Sequence, residues 1–316
     1  MIDLDSQQVS RKLAQDAMAQ AIYQLPEQIS QGWQVSLPDL SGIAKPQNLV
    51  ICGMGGSAIG GDLVRVIAAD SATVPIIVSR DYNLPAFVGG NSLVIASSYS
   101  GNTAETLTAF QAAKERGANL IAISSNGTML EVVQVWQRPN IQIPRGLQPR
   151  AALGYSLFPL LRIVTELGLV TVTTDQVEAV VRLLQGLRAE FRPESPVDKN
   201  GAKVVALALE GLIPLIYGSE PYLGPVAFRW KTQINENAKA VVFNNVFPEL
   251  DHNEINAWTG QPALSRKIGV VLLRDEGESP EMRKRIDVTR KLIEEDVGAI
   301  IEVHSRGGST LERILS

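Results

Sequence analysis

Short apolar runs alternate with stretches of helical periodicity along most of this chain, and that rhythm restricts the fold more than any single motif. "NLVICGMG" (48–55), "VPIIVSRD" (74–81), "SLVIASSYSG" (92–101) and "NLIAISSNG" (119–127) read as strands. Between them "GDLVRVIAADS" and "TAETLTAFQAAKERGA" have helical spacing, the second stopping at Gly117. Strands separated by helices pair in parallel and need cover on both faces. The second half repeats the pattern, with "LIPLIYGSE", "IGVVLLRDEG" and "GAIIEVHSRGG" as strands and "GPVAFRWKTQINENAKA" as a helix. An amphipathic helix is expected over 6–24, ahead of the first strand. The β-branched run in "GLVTVTTDQVE" (168–178) favours an extended connector before the helix "DQVEAVVRLLQGLRAEF". A boundary near 172 follows, giving two α/β domains, 1–172 and 173–316.

Composition removes several classes of partner. A net charge of -4 supplies no basic field to attract nucleic acid or an acidic membrane surface, so an anionic ligand must be held by local donors. The single cysteine, Cys52, lies in an apolar run and has no internal disulfide partner, which suits a reducing compartment. The start "MIDLDSQQVS" lacks the basic-then-apolar order of a secretory signal. "KVVALALEGLIPLIYG" is interrupted by Glu210 and Pro214, short of the ~20 apolar residues that span a bilayer. A cytoplasmic protein is expected.

The polar loops fall where a parallel sheet binds ligands, beyond the carboxyl ends of the strands. "GMGGSAIGGD" follows the first strand, and its Gly53, Gly55 and Ala58 have the spacing of a dinucleotide fingerprint. In that reading Arg80 would meet an NADP 2′-phosphate. "SSYSGNTAET" follows the third strand and groups Ser97, Ser98, Ser100 and Thr103 ahead of a helix. Exposed amides, a helix dipole and clustered hydroxyls make a phosphate site. A dinucleotide has little use for a second hydroxyl-rich loop, whereas one phosphomonoester can use all of these donors. Singly, each serine or threonine is equally well read as a turn former or cap.

"GMGGSAIGGD" and "SYSGNTAET" together resemble the two phosphosugar loops of the sugar isomerase (SIS) domain. "PRGLQPRAALGYSLFPLL" and "WKTQINENAKAVVFNNVFPELDHNEINAW" narrow the resemblance to the bifunctional phosphoglucose/phosphomannose isomerases, from about residue 45 to about 312. The resemblance implies two SIS-type α/β sandwich domains, each a mainly parallel sheet flanked by helices. It further implies a homodimer whose active site lies between domains and subunits, and an aldose-ketose isomerase acting on glucose 6-phosphate or mannose 6-phosphate.

Such a reaction opens the sugar ring and moves a proton between C1 and C2 through an enediol. It needs a proton shuttle for the ring oxygen, a base for the carbon-bound proton and a cation for the enediolate, with no metal or redox cofactor. Glu236 in "NENAK" matches the family's catalytic glutamate; on pattern alone a helical glutamate is a solvated surface group. His252 in "ELDHNEI" matches the ring-opening histidine, which reaches the site from the partner subunit, while His304 has no match and reads as structural. Arg150 in "QPRAALG" matches the active-site arginine, with Arg145 close enough to be confused with it. By the same matching Ser57, Ser98, Ser100 and Thr103 hold the phosphate, and Gly55 and Gly56 permit close backbone approach. Trp230 and Lys231 are expected to pack or to form surface pairs.

The family continues past "GGSTLERILS" with a helix that supplies a lysine and a hydroxyl residue, so this chain is expected to be cut short or to have lost that segment. Ser309 and Glu312 are placed to form a capping box on a helix of about two turns. A non-catalytic sugar-phosphate-binding SIS module is the rival reading.

Overall fold

The computed structural model describes residues 3–316. In chain order the helices are α1 (Gln7–Gln15), α2 (Ala17–Tyr23), α3 (Leu25–Trp33), α4 (Gly55–Ile67), α5 (Ala104–Glu115), α6 (Thr128–Val135), α7 (Leu153–Glu166), α8 (Thr174–Glu190), α9 (Gly201–Ala208), α10 (Gly224–Ala238), α11 (Pro262–Ser265), α12 (Pro280–Ile293) and α13 (Thr310–Leu315). The strands are β1 (Asn48–Cys52), β2 (Ile76–Ser79), β3 (Ser92–Ser98), β4 (Asn119–Ser124), β5 (Asn140–Gln142), β6 (Ile213–Ser219), β7 (Phe243–Phe247), β8 (Ile268–Arg274) and β9 (Ala299–His304).

Two compact units result, one of Ala21–Val181 and one of the residues up to Gln20 together with Arg182–Ser316. The division falls inside α8 and not at 172. The start of the chain also belongs with the C-terminal half, which local pattern does not reveal. Asp5 accepts from the Val197 amide at 3.0 Å and from Lys203 Nζ at 3.0 Å, and Ser10 Oγ donates to the Pro193 carbonyl at 3.0 Å.

In the Ala21–Val181 unit the sheet order is β2-β1-β3-β4-β5, every pair parallel. The central strands are apolar because both faces are covered: Leu49, Val50, Ile51, Leu93, Val94 and Ile95 have no exposed surface. Phe110 of α5 and Val133 of α6 pack with Val50 and Val94 on one side. Each such side chain stabilises the fold by roughly 1.5–3 kcal/mol.

The other unit repeats the design with four strands, order β7-β6-β8-β9, again all parallel. Tyr217 and Phe247 meet edge to face, centroids 5.7 Å apart, in a cluster with Trp258, Ile286 and Ile293. On the opposite face Ile216, Val271 and Leu273 pack against Leu223 and Ala227, with Trp230 half-buried beside them, while Lys231 lies over the Phe228 ring.

One continuous helix over 6–24 does not form. Asp16 takes an extended conformation, and its Oδ1 accepts from the amides of Met18 and Ala19 at 2.8 and 3.0 Å, ending α1 and opening α2. The C-terminal capping box is present, with the Glu312 amide 3.2 Å from Ser309 Oγ and the Ser309 amide 2.9 Å from Glu312 Oε2. Among the described residues no helix is long and apolar enough to cross a membrane.

Candidate active site

The order β2-β1-β3-β4-β5 reverses direction at the β1/β3 pair, so the chain leaves these neighbours toward opposite edges and opens a crevice at their carboxyl ends. Both hydroxyl-bearing loops lie there. The structure thus brings together Gly55, Gly56, Ser57, Ser98, Ser100 and Thr103, residues far apart in the chain.

The start of α4 is built to leave donors open. Met54 occupies the N-cap position and supplies no side-chain cap, and Gly55 follows with φ +49. The amides of Gly55 and Gly56 fall in the first turn, where no intrahelical acceptor exists. Gly56 is also the contact with the 3₁₀ turn Pro149–Ala151: a Cβ there would lie 2.5 Å from the Pro149 carbonyl oxygen and 3.0 Å from the Arg150 nitrogen. Arg150 is therefore held beside the first loop. Gln28, buried in α3, braces the same turn by donating from Nε2 to the carbonyls of Ala151 and Ala21 at 3.1 and 3.2 Å. Arg150 donates to Gln148 Oε1 at 3.0 Å, whereas Arg145 Nε donates to the Ser125 carbonyl at 2.9 Å.

The second loop is cross-linked by hydrogen bonds that orient its hydroxyls. Ser57 Oγ accepts from the Tyr99 amide at 3.1 Å, joining the two loops and leaving the Ser57 proton free to donate. Ser98 Oγ accepts from the Gly101 amide at 3.1 Å and lies 3.0 Å from Thr103 Oγ1. Thr103 is the N-cap of α5 yet makes no capping bond, so that helix start is open as well. Ser100 is exposed, its Oγ accepting from the Asn102 amide at 3.3 Å. Tyr99 OH donates to the Pro144 carbonyl at 2.9 Å and accepts from the Leu147 amide at 3.0 Å, and burial pushes its phenol up. Gly101 has φ +70, and a Cβ there would sit 1.7 Å from the Asn126 carbonyl oxygen.

The equivalent crevice of the other sheet, at β6 and β8, is chemically different. Ser279 caps α12 through the Met282 amide at 3.2 Å. Arg274 is consumed by Glu278 at 3.0 Å, Asp287 at 2.9 Å and Glu302 at 3.4 Å, and Asp275 by Arg313 at 2.6 Å. On the β8 side of that crevice the arginine donors are thus spent on the protein's own carboxylates, although α10, which follows β6, also starts without a side-chain cap.

Glu236 and His252 belong to this second unit. Glu236 is exposed on the last turn of α10, where Lys239, in the left-handed region at φ 57, donates from Nζ to the Glu236 carbonyl at 2.6 Å. Arg229, seven residues earlier on the same helix, is pushed down to about 10 by burial, with the Glu236 charge acting in the opposite direction. His252 is exposed at the end of the 3₁₀ turn Glu249–His252. His304 is exposed at the end of β9, its Nε2 3.5 Å from Glu302 Oε2. Arg80 pairs with the buried Asp62 of α4, a use of this arginine the fingerprint reading did not foresee. Gln28 was also missed, since no local pattern marks a buried amide that braces a distant turn. Among the described residues no group of three or more His, Cys, Asp or Glu side chains is placed to hold a metal ion.

The chain is similar to known proteins in sequence and in fold. Residues 198–316 match the family described as "Bacterial phospho-glucose isomerase C-terminal SIS domain". The chain is 43% identical over 302 residues to a bifunctional phosphoglucose/phosphomannose isomerase of Caldicellulosiruptor bescii, covering 95% of this chain and 89% of that one. It is 36% identical over 272 residues to the protein of the same name from Aquifex aeolicus, covering 85% and 80%. Among solved structures, the C-terminal domain of glucosamine-fructose-6-phosphate aminotransferase from Francisella tularensis superposes with a TM-score of 0.66 at 15% identity, covering 95% and 92%, a likeness of fold.

Proposed function

The chain belongs to the bifunctional phosphoglucose/phosphomannose isomerase family, and from that premise we propose that it is an aldose-ketose isomerase. It interconverts glucose 6-phosphate or mannose 6-phosphate with fructose 6-phosphate. The observation that carries the reading is the pair of uncapped helix starts, α4 and α5, facing one crevice beneath clustered hydroxyls. Uncommitted amides at two helix N-termini are suited to one dianionic phosphate, and the Ser57, Ser98, Ser100 and Thr103 hydroxyls supply further donors.

The proton chemistry is assigned by matching to the family. His252 hands a proton to the ring oxygen while the anomeric hydroxyl loses one, which opens the ring. Glu236 removes the proton at C2 of the aldose, giving a cis-enediolate; the C2 hydroxyl proton passes to O1, and Glu236 returns its proton to C1, leaving the ketone at C2. Arg150 stabilises the negative charge on the enediolate oxygens. The electron pair stays within the substrate throughout, so the route needs no redox cofactor, and the proposed Arg150 supplies the positive charge for the enediolate. The working form is a homodimer in the cytoplasm, a compartment in which the lone, buried Cys52 stays reduced.

The test is a coupled assay of fructose 6-phosphate formation from each aldose phosphate. Turnover of both is expected. Tight binding of either sugar phosphate without turnover would overturn the assignment in favour of a binding module.

A further inference from the structure

His252 sits in an exposed turn, yet the chain on either side of it is fastened to the interior of its unit. One residue before it, Asp251 is nearly buried, its carboxylate accepting from Thr289 Oγ1 at 2.8 Å and from Arg285 NH1 at 3.0 Å, both on α12. Two residues after it, Glu254 accepts from Tyr217 OH on β6 through one oxygen and from Asn245 Nδ2 on β7, at 2.6 Å, through the other. Tyr217 has no exposed surface, and Thr289 is 3% exposed. Between the two carboxylates only His252 and Asn253 intervene, and Asn253 Oδ1 accepts from the Glu254 amide at 2.6 Å. The His252 imidazole takes part in none of these bonds.

This arrangement is more than the loop needs for folding. Leu250, fully buried one residue before Asp251, already anchors the segment in the core. Placing two charged acceptors against oriented, buried donors adds directional constraint, because charge-assisted hydrogen bonds are short and geometrically selective. Burial and the Glu254 carboxylate push the Tyr217 phenol up, so it remains a proton donor through the neutral range. A side chain that transfers protons to one atom gains from having its backbone held, since a displacement of about 1 Å costs roughly 100-fold in rate.

We infer that Asp251 and Glu254, with their partners Thr289, Arg285, Tyr217 and Asn245, are positioning residues that hold the His252 turn in the orientation required for ring opening. The inference rests on the isomerase reading for its functional half and on the geometry alone for its structural half.

Two measurements separate these halves. Tyr217→Phe removes one hydroxyl and keeps the ring that packs on Phe247, and Asp251→Ala removes the other clamp. The first measurement is 13C relaxation of the His252 ring in the intact protein and each variant; greater ring mobility in both variants is expected. Unchanged mobility would overturn the clamp. The second compares kcat on glucose 6-phosphate with solvent-deuterium exchange at C2 of erythrose 4-phosphate, an aldose phosphate that cannot cyclise. The variants are expected to lose about 10- to 100-fold on the ring substrate and no more than about twofold on the open chain. Equal losses on both would overturn the positioning role. If the unaltered protein turns over neither substrate, the isomerase reading fails and with it the functional half, while the relaxation result still decides the clamp. Should Asp251→Ala not fold, Tyr217→Phe carries both comparisons.

Discussion

The Ser98 and Thr103 hydroxyls lie 3.0 Å apart, and that bond takes from Thr103 the capping role its position ahead of α5 would otherwise give it. A threonine at an N-cap ordinarily satisfies one of the first amides of its helix. Here the amides are left open and the hydroxyl pair is pre-aligned. Replacing Thr103 by Val should remove a ligand donor without removing a cap. We expect KM for glucose 6-phosphate to rise about tenfold, corresponding to roughly 1.4 kcal/mol, with unfolding midpoints in urea nearly unchanged. A large loss of stability with unaltered KM would show that the hydroxyl serves the fold.

Gly101→Ala tests the backbone of the same loop. The residue has φ +70, and the added methyl would lie 1.7 Å from the Asn126 carbonyl oxygen, which cannot move away as a side-chain tip could. Strain and overpacking act together, so a loss of about 3 kcal/mol or more in urea unfolding is expected. The loop must shift to accept the methyl, and inorganic phosphate binding should weaken in the fraction that remains folded.

Cys52 provides a test of the core by pH. Burial pushes its thiol from an ordinary value of 9.0 to about 12. Because the folded state disfavours the thiolate, the associated stability is present below about pH 9 and is lost as pH rises from there toward 12. At pH 8 an aromatic disulfide reagent should react only as the protein unfolds, so the labelling rate should rise with urea in step with unfolding. Immediate labelling of the native protein would contradict the burial of β1.

Much of this was legible in the chain because the relevant signals are local. The apolar run 48–52 is a strand buried on both faces, and "GMGGSAIGGD" forms the glycine turn and uncapped start of α4 that its glycines lead one to expect. The proposed roles of Glu236, His252 and Arg150 rest on the resemblance, since pattern alone leaves these residues among ordinary surface groups. Long-range partners were not legible. The pairing of Asp5 with Lys203, the Asp62–Arg80 contact and the Gln28 brace under Arg150 join residues whose local sequence carries no mark of the other. The break at Asp16 was missed for a different reason: helical periodicity continues through it, while a single side-chain oxygen captures two amides and restarts the helix.

Gln28→Leu tests whether Arg150 depends on that brace. Leucine fits the volume but cannot donate, leaving the buried carbonyls of Ala151 and Ala21 without their partner, which should cost about 1–3 kcal/mol. If the brace holds the Pro149–Ala151 turn for catalysis, kcat should fall while phosphate binding, measured by calorimetry with inorganic phosphate, stays close to that of the unaltered protein. Equal weakening of both would mean that the turn shapes the phosphate loop through Gly56.

Glu236 separates catalysis from binding most sharply. It shares α10 with Arg229, a half-buried guanidinium pushed down to about 10 by burial while the Glu236 charge opposes that shift. Glu236→Gln therefore removes two things at once, the proposed base and a counter-charge for Arg229. Proton exchange at C2, followed by deuterium uptake from solvent, should be abolished while inorganic phosphate still binds. The melting temperature should fall slightly, because the poorly solvated guanidinium loses its offset. Adding Arg229→Gln should recover the melting temperature without recovering exchange, since the neutral pair has no charge to compensate but still has no base. Full exchange in the single variant would transfer the proton-abstracting role to another group, whereas recovery of exchange in the double variant would show that Glu236 acts only through Arg229.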